Sequence, residues 1–530
     1  MKKSLPYFIN FLFFIFFFEG YSQCTVNNVT GDLIISSNII MTGTYNVSGK
    51  FVIPNGINVI VQSYSSNSCG KLVINAQNIY VYGTIVANAA GYTGGAGGSG
   101  GIGVTSLTGD SISLTGCNNK DNTGNVTVEG GKHGLVGSGP GGGVQGANGS
   151  NGSGPKQQCL NASDECGMIG SGGGAGGGSG GTYGGKGGNS LNGGNGTNSF
   201  TATGVNVSAG FPVVPGNGGA GGIAPAIYGS PIGNDIDMGS GGAGAGGGGR
   251  SFITGISGNK GGDGGGMIKL TATDTLLISG SISANGANGL TGGKGGDGGV
   301  TVKCCSDGCD DCGEATLSCG SGGGGGAGAG SGGGIYLETQ NKAIITGTLL
   351  ATGGNGTSGG AKGTGTSCNY SATFCGTEAL TSGNGFDGGN GGSGGGGRIK
   401  IFAPTCVQNT ISPTYSISGG STGNAGQAGS YNVICSVTNL YDNYVHHQLD
   451  IFPNPASNQI TLKFKYFDSF KDESATIEVI DLSGKKVLEI PSALHITNEQ
   501  VINISELNSG MFFLRLQTHD FLINQKFIKQ

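Results

Sequence analysis

The feature that most constrains the fold is a repeated segment of short apolar stretches. The sequence GMIKLTATDTLLISGSISANGANG, from Gly266, aligns without a gap with GIYLETQNKAIITGTLLATGGNG, from Gly334, when Gly280 is placed on Gly347. The alignment pairs apolar residues throughout: Ile268 with Ile335, Leu270 with Leu337, Leu276 with Ala343, Ile278 with Ile345, and Ile282 with Leu349. A repeat of this kind indicates units that stack and bury their apolar faces on one another.

Two weaker copies extend the repeat in both directions. The segment KLVINAQNIYVYGTIVANAAG, from Lys71, fits around Gly83 with one residue fewer in its first turn. The segment RIKIFAPT, from Arg398, together with residues 415–419, forms a degenerate fourth copy. Residues 32–62 add further short apolar stretches, which can form the first coils of the same stack.

Within each copy the apolar residues fall at every second position, which is typical of strands with one face inward. We expect Ile278 and Ile345 to point into the core, and Ser281 and Thr348 to point outward. The pattern predicts an all-β fold in which the passenger is a glycine-rich β-solenoid or β-helix-like structure. A flat β-sandwich is the structural alternative.

Long glycine-rich inserts separate the copies at residues 91–265, 289–334 and 353–397, and glycine makes up 119 of the 530 residues. Collagen is excluded because glycine is not at every third position and only 13 residues are proline. Two interpretations remain open. The inserts can be flexible linkers, or they can form a bundle of extended helices with three residues per turn, bonded backbone to backbone.

The N-terminus is typical of a secretory signal peptide. Two lysines precede an apolar run at residues 8–18, which is too short to span a bilayer, and Gly20 and Ser22 suit cleavage. Cys24 raises the alternative of lipid attachment, although the residues before it lack the usual apolar and small pattern. No other stretch is long enough and apolar enough to be a membrane span.

The 14 cysteines are an even number in a chain with an export signal, so disulfides are the default expectation. They fall mostly in the glycine-rich inserts, where closed loops would offset part of the entropy lost on ordering glycine. The local pairs Cys159–Cys166 and Cys368–Cys375 are the simplest connections. The disulfide candidates are Cys159, Cys166, Cys304, Cys305, Cys309, Cys312, Cys319, Cys368 and Cys375.

Metal binding has weak support. Cys309 and Cys312 have the spacing of zinc ligands, but no second such pair lies at zinc-ribbon distance, so a disulfide knot is favoured. Asp263 and Asp297, in two KGGDGG stretches, faintly resemble calcium-binding repeats but are interpreted as turn residues. Calcium also has candidate oxygen ligands in Asp307, Asp310, Asp311 and Glu314. We expect no cofactor, and calcium stays an open alternative.

The chain offers few groups for catalysis. Of its five histidines, only His133 lies outside the C-terminal region, and it sits in a glycine-rich loop. General acid–base chemistry needs convergent titratable groups, and the sequence does not bring such a set together. We therefore expect a non-enzymatic protein without catalytic residues. The net charge of −5 is small for this length, so neither nucleic acid nor an anionic membrane is an expected partner.

The C-terminal region carries several short motifs in order. Ile460, Leu462 and Phe464 alternate with polar residues, which predicts half-buried strands in a small antiparallel sandwich. Around such strands lie a Pro-Asn-Pro motif, a DLSG turn, a glycine that precedes a strand and a basic end. The motif residues are Pro453, Asn454, Pro455, Gly484, Gly510, Lys526 and Lys529.

This set of motifs resembles the type A C-terminal sorting domain of the type IX secretion system of Bacteroidetes. The resemblance covers about a sixth of the chain. It implies export across the outer membrane by the type IX machinery, followed by release or attachment to the outer surface. It says nothing about what the rest of the chain does.

The sequence therefore predicts four regions: a signal peptide at residues 1–22, a strand region at 23–90, the glycine-rich repeat region at 91–440 and the sorting domain at 441–530. We expect a secreted or surface-attached adhesin or extracellular matrix module, with glycans or cell surfaces as partners. The alternatives are a β-helix polysaccharide-degrading enzyme of the lyase kind and an ice-binding protein.

Overall fold

The computed structural model divides into two compact units, Met1–Val437 and Thr438–Gln530. The residues that it describes are 24–102, 104–106, 125–155, 167–169, 171–203, 214–303, 314–372, 376–404, 409–435, 448–465, 474–482, 485–495, 499–517 and 522–530. The predicted signal peptide at residues 1–22 lies outside them.

Every regular element among the described residues is a strand, so the prediction of an all-β fold is confirmed. The strands of the first unit are β1 (Val26–Val29), β2 (Leu33–Ile34), β3 (Ile39–Met41), β4 (Gly43–Ile53), β5 (Asn58–Val61), β6 (Lys71–Val81), β7 (Thr84–Val86), β8 (Val104–Ser106), β9 (Asn125–Val128), β10 (Gly152–Pro155), β11 (Gly167–Ile169), β12 (Phe200–Thr203), β13 (Met267–Ile278), β14 (Ser281–Ser283), β15 (Val300–Lys303), β16 (Glu314–Ser318), β17 (Gly334–Thr339), β18 (Lys342–Ile345), β19 (Thr348–Leu350), β20 (Ser367–Ala372), β21 (Gly376–Ser382), β22 (Arg398–Ala403), β23 (Thr410–Ile411), β24 (Thr414–Ser416) and β25 (Ser430–Cys435). Those of the second unit are β26 (Gln448–Phe452), β27 (Gln459–Lys465), β28 (Ser474–Asp481), β29 (Lys486–His495), β30 (Glu499–Asn503), β31 (Gly510–Gln517) and β32 (Leu522–Lys529).

Two parallel sheets form the strand part of the first unit. The larger runs in the order β1-β4-β6-β13-β17-β22-β25, and the smaller runs in the order β24-β19-β14-β7-β5-β3. Short strands β2, β18 and β23 extend the larger sheet. Successive sequence repeats therefore contribute strands to both sheets, in the same order.

The register of these sheets follows the sequence alignment. Ile268 pairs with Ile335, and Ile282 pairs with Leu349, as aligned. Between β6 and β13 the register shifts before Thr275, which accounts for the one residue fewer in the copy from Lys71. The repeat thus predicted which residues lie side by side.

The strand part is held by an apolar core between the sheets. Ile278 and Ile345 are completely buried, while Ser281 and Thr348 are half-buried, as their alternation predicts. Each fully buried isoleucine of this kind stabilises the fold by roughly 1.5–3 kcal/mol relative to an exposed one.

The described parts of the glycine-rich inserts are extended segments hydrogen-bonded backbone to backbone, so the ordered bundle is the interpretation that holds for them. The bonds recur at every third residue: Gly95 donates to Gly242, Gly98 to Ala245, and Gly101 to Gly248. Successive amides of one segment serve different neighbours: Gly174 donates to Gly194, Ala175 to Gly247, and Gly176 to Ala147. This is the arrangement of helices with three residues per turn.

Four segments lie in the middle of this bundle, at residues 171–183, 238–249, 319–333 and 391–397, and all their residues are buried. A side chain has no room at most of these glycines. A Cβ built on Gly328, for example, would overlap the carbonyl oxygen of Ser179. The core of the bundle is therefore backbone rather than side chain.

Three small sheets lie between bundle segments, in the orders β10-β9-β8, β11-β16-β15 and β12-β21-β20. In the second unit, the antiparallel sheets β26-β27-β30 and β29-β28-β31-β32 share one apolar cluster. Ile460 and Leu462 are completely buried in it, which confirms the predicted small antiparallel sandwich.

Candidate functional site

The Pro-Asn-Pro motif at residues 453–455 follows β26 and contacts the last strand of the chain. The side-chain Oδ1 of Asn454 accepts a hydrogen bond from the amide of Ile528 at 2.9 Å. Its Nδ2 donates to the carbonyl oxygen of Lys526 at 3.2 Å. One amide side chain thus satisfies two backbone groups at the edge of β32.

The backbone after the motif continues this contact. The amide of Ala456 donates to Ile528 O at 2.9 Å, and the amide of Gln530 donates to Ala456 O at 2.8 Å. On the other side of β32, Lys529 pairs with Gly510 of β31. Three motif pieces that are far apart in sequence therefore meet around the end of the chain.

The two motif lysines differ in exposure. Lys526 is exposed, whereas Lys529 is nearly buried and its Nζ donates to Gln530 O at 2.6 Å. They do not share one basic face. A Cβ on Gly510 would meet only the ring of Phe512, at 3.8 Å, so crowding within this unit does not explain the glycine.

Gly484 lies outside the described residues, but Asp481 and Lys485, on either side of it in the sequence, are hydrogen-bonded to each other. The amide of Asp481 donates to Lys485 O at 3.0 Å, and the amide of Lys485 donates to Asp481 Oδ1 at 3.0 Å. The aspartate of the DLSG motif therefore acts as a turn residue.

A second polar cluster lies in the first unit, beneath residues 225–238, which we call the strap. The strap crosses the outer face of β17, β22 and β25 and covers two cations. Lys400, completely buried, donates to Gly233 O at 2.7 Å and contacts Asp235 Oδ1 at 3.1 Å. Arg398 donates to the carbonyl oxygens of Tyr228 and Gly229 at 2.8 and 2.9 Å.

The electrostatics of the strap follow from this burial. Burial lowers the pKa of Lys400, and its hydrogen bond to Asp235 opposes that shift. Burial disfavours ionised Asp235, but hydrogen bonds from the Ser230 amide and Lys400 outweigh it, so the pKa of Asp235 lies below its usual range. Burial raises the pKa of Tyr183, whose ring lies 5.3 Å from the Arg398 guanidinium. The cluster fastens the strap to the sheet.

The structure places one disulfide where the sequence did not predict it. Cys24 is bonded to Cys69, with their Cα atoms 5.5 Å apart, so Cys24 is a disulfide partner rather than a lipid-attachment site. The even number of cysteines was the only sequence signal for this pair. Cys24 lies just before β1 and Cys69 just before β6, so neither belongs to the glycine-rich inserts.

Of the cysteines predicted to form disulfides in the inserts, the structure describes the side chain of Cys319 alone. Cys319 has a free, buried thiol, against the prediction that it is paired. Cys368 lies in β20, and its side chain is outside the description. The other candidates lie outside the described residues: Cys159, Cys166, Cys304, Cys305, Cys309, Cys312 and Cys375.

Of the acidic residues considered for calcium, some lie outside the described residues and others have contacts that the structure shows. Asp307, Asp310 and Asp311 lie outside the described residues. Asp263 accepts the Gly94 amide at 2.7 Å and Asp297 accepts the Thr364 amide at 2.8 Å, which supports their interpretation as structural ties. No cluster of three or more metal-ligating side chains occurs among the residues that the structure describes.

His133 lies in the glycine bundle, where its Nδ1 is 2.7 Å from Gly134 O. Within the described part of the chain, no helix has the length and apolar character needed to cross a membrane.

Comparison with known proteins identifies the second unit. Residues 450–530 match the family described as "Secretion system C-terminal sorting domain", so the resemblance seen in the motifs is confirmed and the chain carries a type IX secretion sorting domain. No curated protein matches the chain.

Solved structures with some similarity cover only a small share of the chain. A DUF3244 family protein with an immunoglobulin-like β-sandwich fold, from Bacteroides vulgatus ATCC 8482, is 18% identical over 18% of this chain and 93% of its own, with a TM-score of 0.14. CopC from Methylosinus trichosporium OB3b is 18% identical over 16% of this chain and 91% of its own, with a TM-score of 0.12.

Proposed function

We propose that this chain, a cargo of the type IX secretion system, is an extracellular adhesin or matrix protein that holds surfaces through many weak contacts. We interpret its strand part as a parallel β-solenoid, because successive repeats add strands in the same order to the same two parallel sheets. The glycine bundle is formed by the segments that connect these coils, and it supplies a broad, stiff surface.

The observation that carries the proposal is a polar array on the outside of the bundle, made by every third residue of two neighbouring segments. The amide of Thr352 donates to Asn285 Oδ1 and that of Asn355 donates to Asn288 Oδ1, both at 2.8 Å. The array consists of Asn285, Asn288, Thr291, Lys294 and Asp297 on one segment, and Thr352, Asn355, Ser358, Ala361 and Thr364 on the next, all exposed or half-buried.

This array suits multivalent binding. Apart from Lys294, its side chains are short, and all are attached to a backbone-bonded platform, so little conformational entropy is lost when a surface docks on them. Each contact is weak, but repeated contacts on one rigid face raise the effective concentration of the next. Export places the array outside the cell, where such a surface is useful.

Attachment of cells tests the proposal. A strain that produces the chain should attach to polysaccharide-coated surfaces better than a strain that lacks it. The double variant Thr291→Glu/Ser358→Glu adds charge to the array without touching the bundle core, and we expect it to reduce attachment several-fold. Asn55→Glu, in an exposed turn outside the array, is the control. Equal attachment with and without the chain contradicts the proposal, and release of soluble sugars would favour a degrading enzyme.

One observation favours ice binding as a second candidate. Four hydroxyl side chains lie in register on the smaller sheet: Thr84, Ser281, Thr348 and Thr414. The next row on the same side of these strands is mixed, with Val86, Leu350, Ser416 and the buried Ser283, so the face is less regular than the array. Thermal hysteresis of the purified protein, abolished by Thr348→Lys, would support this candidate over adhesion.

A further inference from the structure

An open groove crosses the outer face of the larger sheet, where β1, β4, β6 and β13 run side by side. Its volume is about 840 Å³, and it is open to solvent along its length. Its lining includes the amides of Asn28, Asn46, Asn75 and Gln77 and the hydroxyls of Thr271 and Thr273. The register shifts of β4 and β13 lie beside it and bend the strands there.

The asparagines of the groove form a ladder across adjacent strands. Asn46 Nδ2 donates to Asn28 Oδ1 at 2.9 Å, and Asn75 Nδ2 donates to Asn46 Oδ1 at 2.9 Å. Strand pairing fixes this order, because Asn28 lies beside Asn46, and Asn46 beside Asn75. A carboxamide has two donor hydrogens and two acceptor lone pairs, so each side chain keeps bonding capacity for a ligand.

Thr271 continues the ladder on β13, directly beside Asn75. Its hydroxyl oxygen is buried and has no hydrogen-bond partner among the described residues. An unpaired buried hydroxyl is costly, and native structures seldom contain one without a reason. Thr271 also lines the groove, so a ligand hydroxyl bound there is the partner that this oxygen lacks.

The groove is uncharged. None of the side chains that line it is ionisable. Glu338, the next residue along the row, is held by a hydrogen bond from the hydroxyl of Tyr336 at 3.0 Å. An anionic or cationic ligand therefore gains no ion pair inside the groove, whereas a ligand rich in neutral hydroxyls finds amides and hydroxyls that both donate and accept.

We propose that this groove binds a neutral polysaccharide chain, lying across the strands along the ladder. Strands about 4.8 Å apart place the ladder from Asn28 to Thr271 over roughly 14 Å, which suits a short run of sugar units rather than one sugar. The inference deepens the proposed adhesive function and rests on it: the array gives broad contact, and the groove gives selectivity for uncharged glycans.

Binding of the purified full-length chain to immobilised polysaccharides tests the groove. The probes are neutral glucan, mannan, galactan and xylan, with polygalacturonate and alginate as anionic counterparts. We expect a neutral polymer to bind, and Asn46→Ala/Asn75→Ala to weaken it by about tenfold or more, because two amides that contact the ligand are lost. Gln77 is exposed, so we expect Gln77→Ala to leave the sheet folded and to weaken binding of the neutral polymer by a smaller factor.

Asn55→Ala, in an exposed turn outside both the groove and the array, is the control and should leave this affinity unchanged. If the chain attaches to surfaces but the groove variants bind neutral polymers as the unchanged protein does, the groove inference fails and the adhesive function stands. If the chain binds no neutral polymer, or only the anionic ones, the groove inference is wrong. If it binds no surface at all, both proposals fail.

Discussion

The strand part of the first unit, here called the stack, and the glycine bundle have cores of opposite kinds. In the stack, apolar side chains such as Ile278 and Leu349 are buried between two sheets, and backbone bonds run only between neighbouring strands. In the bundle, the middle segments bury almost nothing but backbone, and their amides bond in several directions. Side-chain burial holds one region and hydrogen-bond satisfaction holds the other.

This difference determines which substitutions each region tolerates. A side-chain core accepts changes of shape if its volume is roughly kept. A backbone core has no volume to exchange, because a carbonyl oxygen stands where any side chain would begin, as at Gly328. Ordering glycine also costs more conformational entropy than ordering other residues, so the bundle depends on the completeness of its bonding.

The largest effect is expected at the centre of the bundle. Gly328→Ala places a methyl group on the carbonyl of Ser179, so segments must separate, and we expect a loss of about 4 kcal/mol or more in the free energy of unfolding. The neighbouring Ala327→Gly removes a methyl that already fits and should cost about 1 kcal/mol. Denaturant unfolding measures both. Similar unfolding midpoints for Gly328→Ala and Ala327→Gly would show that the bundle segments can move apart to admit a methyl group. The backbone core would then be no less tolerant than the side-chain core.

A side-chain deletion in the stack should have the next largest effect. Ile278→Ala leaves a cavity among completely buried residues and should cost about 3–4 kcal/mol. Ser281→Ala, on the half-buried outward row, should cost about 0.5 kcal/mol or less. Hydrogen exchange adds a regional test, because Ile278→Ala should loosen the stack before the bundle. Loss of protection in both regions together would mean that they unfold as one unit.

Removal of the disulfide should affect only one end of the stack. Cys24→Ser/Cys69→Ser opens a loop of 45 residues and should cost roughly 2–4 kcal/mol. Hydrogen exchange should rise in β1 to β5, while the bundle segments keep their protection. Faster exchange throughout the bundle would show that the strands β1 to β5 stabilise the bundle from a distance.

Acid should weaken the strap, which joins the bundle to the stack. The folded pKa of Asp235 lies below its usual range, so ionised Asp235 stabilises the fold above the unfolded pKa of about 3.9, and this is lost as the pH falls through the folded pKa. Asp235 is half exposed, so we expect less than about 1 kcal/mol. Exchange of residues 225–238 between pH 6 and pH 3 measures it. In Asp235→Asn this pH dependence should be absent, and persistence would assign it to another group.

Much of the fold was predictable because it is local or repetitive. Alternation in the copies around Gly280 and Gly347 gave the inward residues, and the gapless alignment gave the register, since the parallel strands of the two copies pair at equivalent positions. The motif residues of the sorting domain were also visible in the sequence. Their meeting point around Lys529 was not, because it depends on the pairing of β31 with β32 and on the contact of Ala456.

The strap shows why sequence patterns fail at long range. Arg398 and Lys400 alternate with buried isoleucines, so the pattern puts them on an exposed outer face. The structure buries them, because a segment more than 160 residues earlier crosses that face and supplies carbonyl oxygens. Disulfide pairing is equally non-local, and for the same reason the Cys24–Cys69 bond was not foreseen.

By itself, the sequence determined the strand periodicity, the repeat register, the sorting domain and the presence of glycine segments able to pack closely. Tertiary structure alone decided whether those segments were linkers or a core, which side chains they covered and where the asparagine ladder formed a groove. The physical reason is that a glycine segment has no side chain to record its neighbours. Its partners are chosen by which backbone groups still need a hydrogen bond once the strands have stacked.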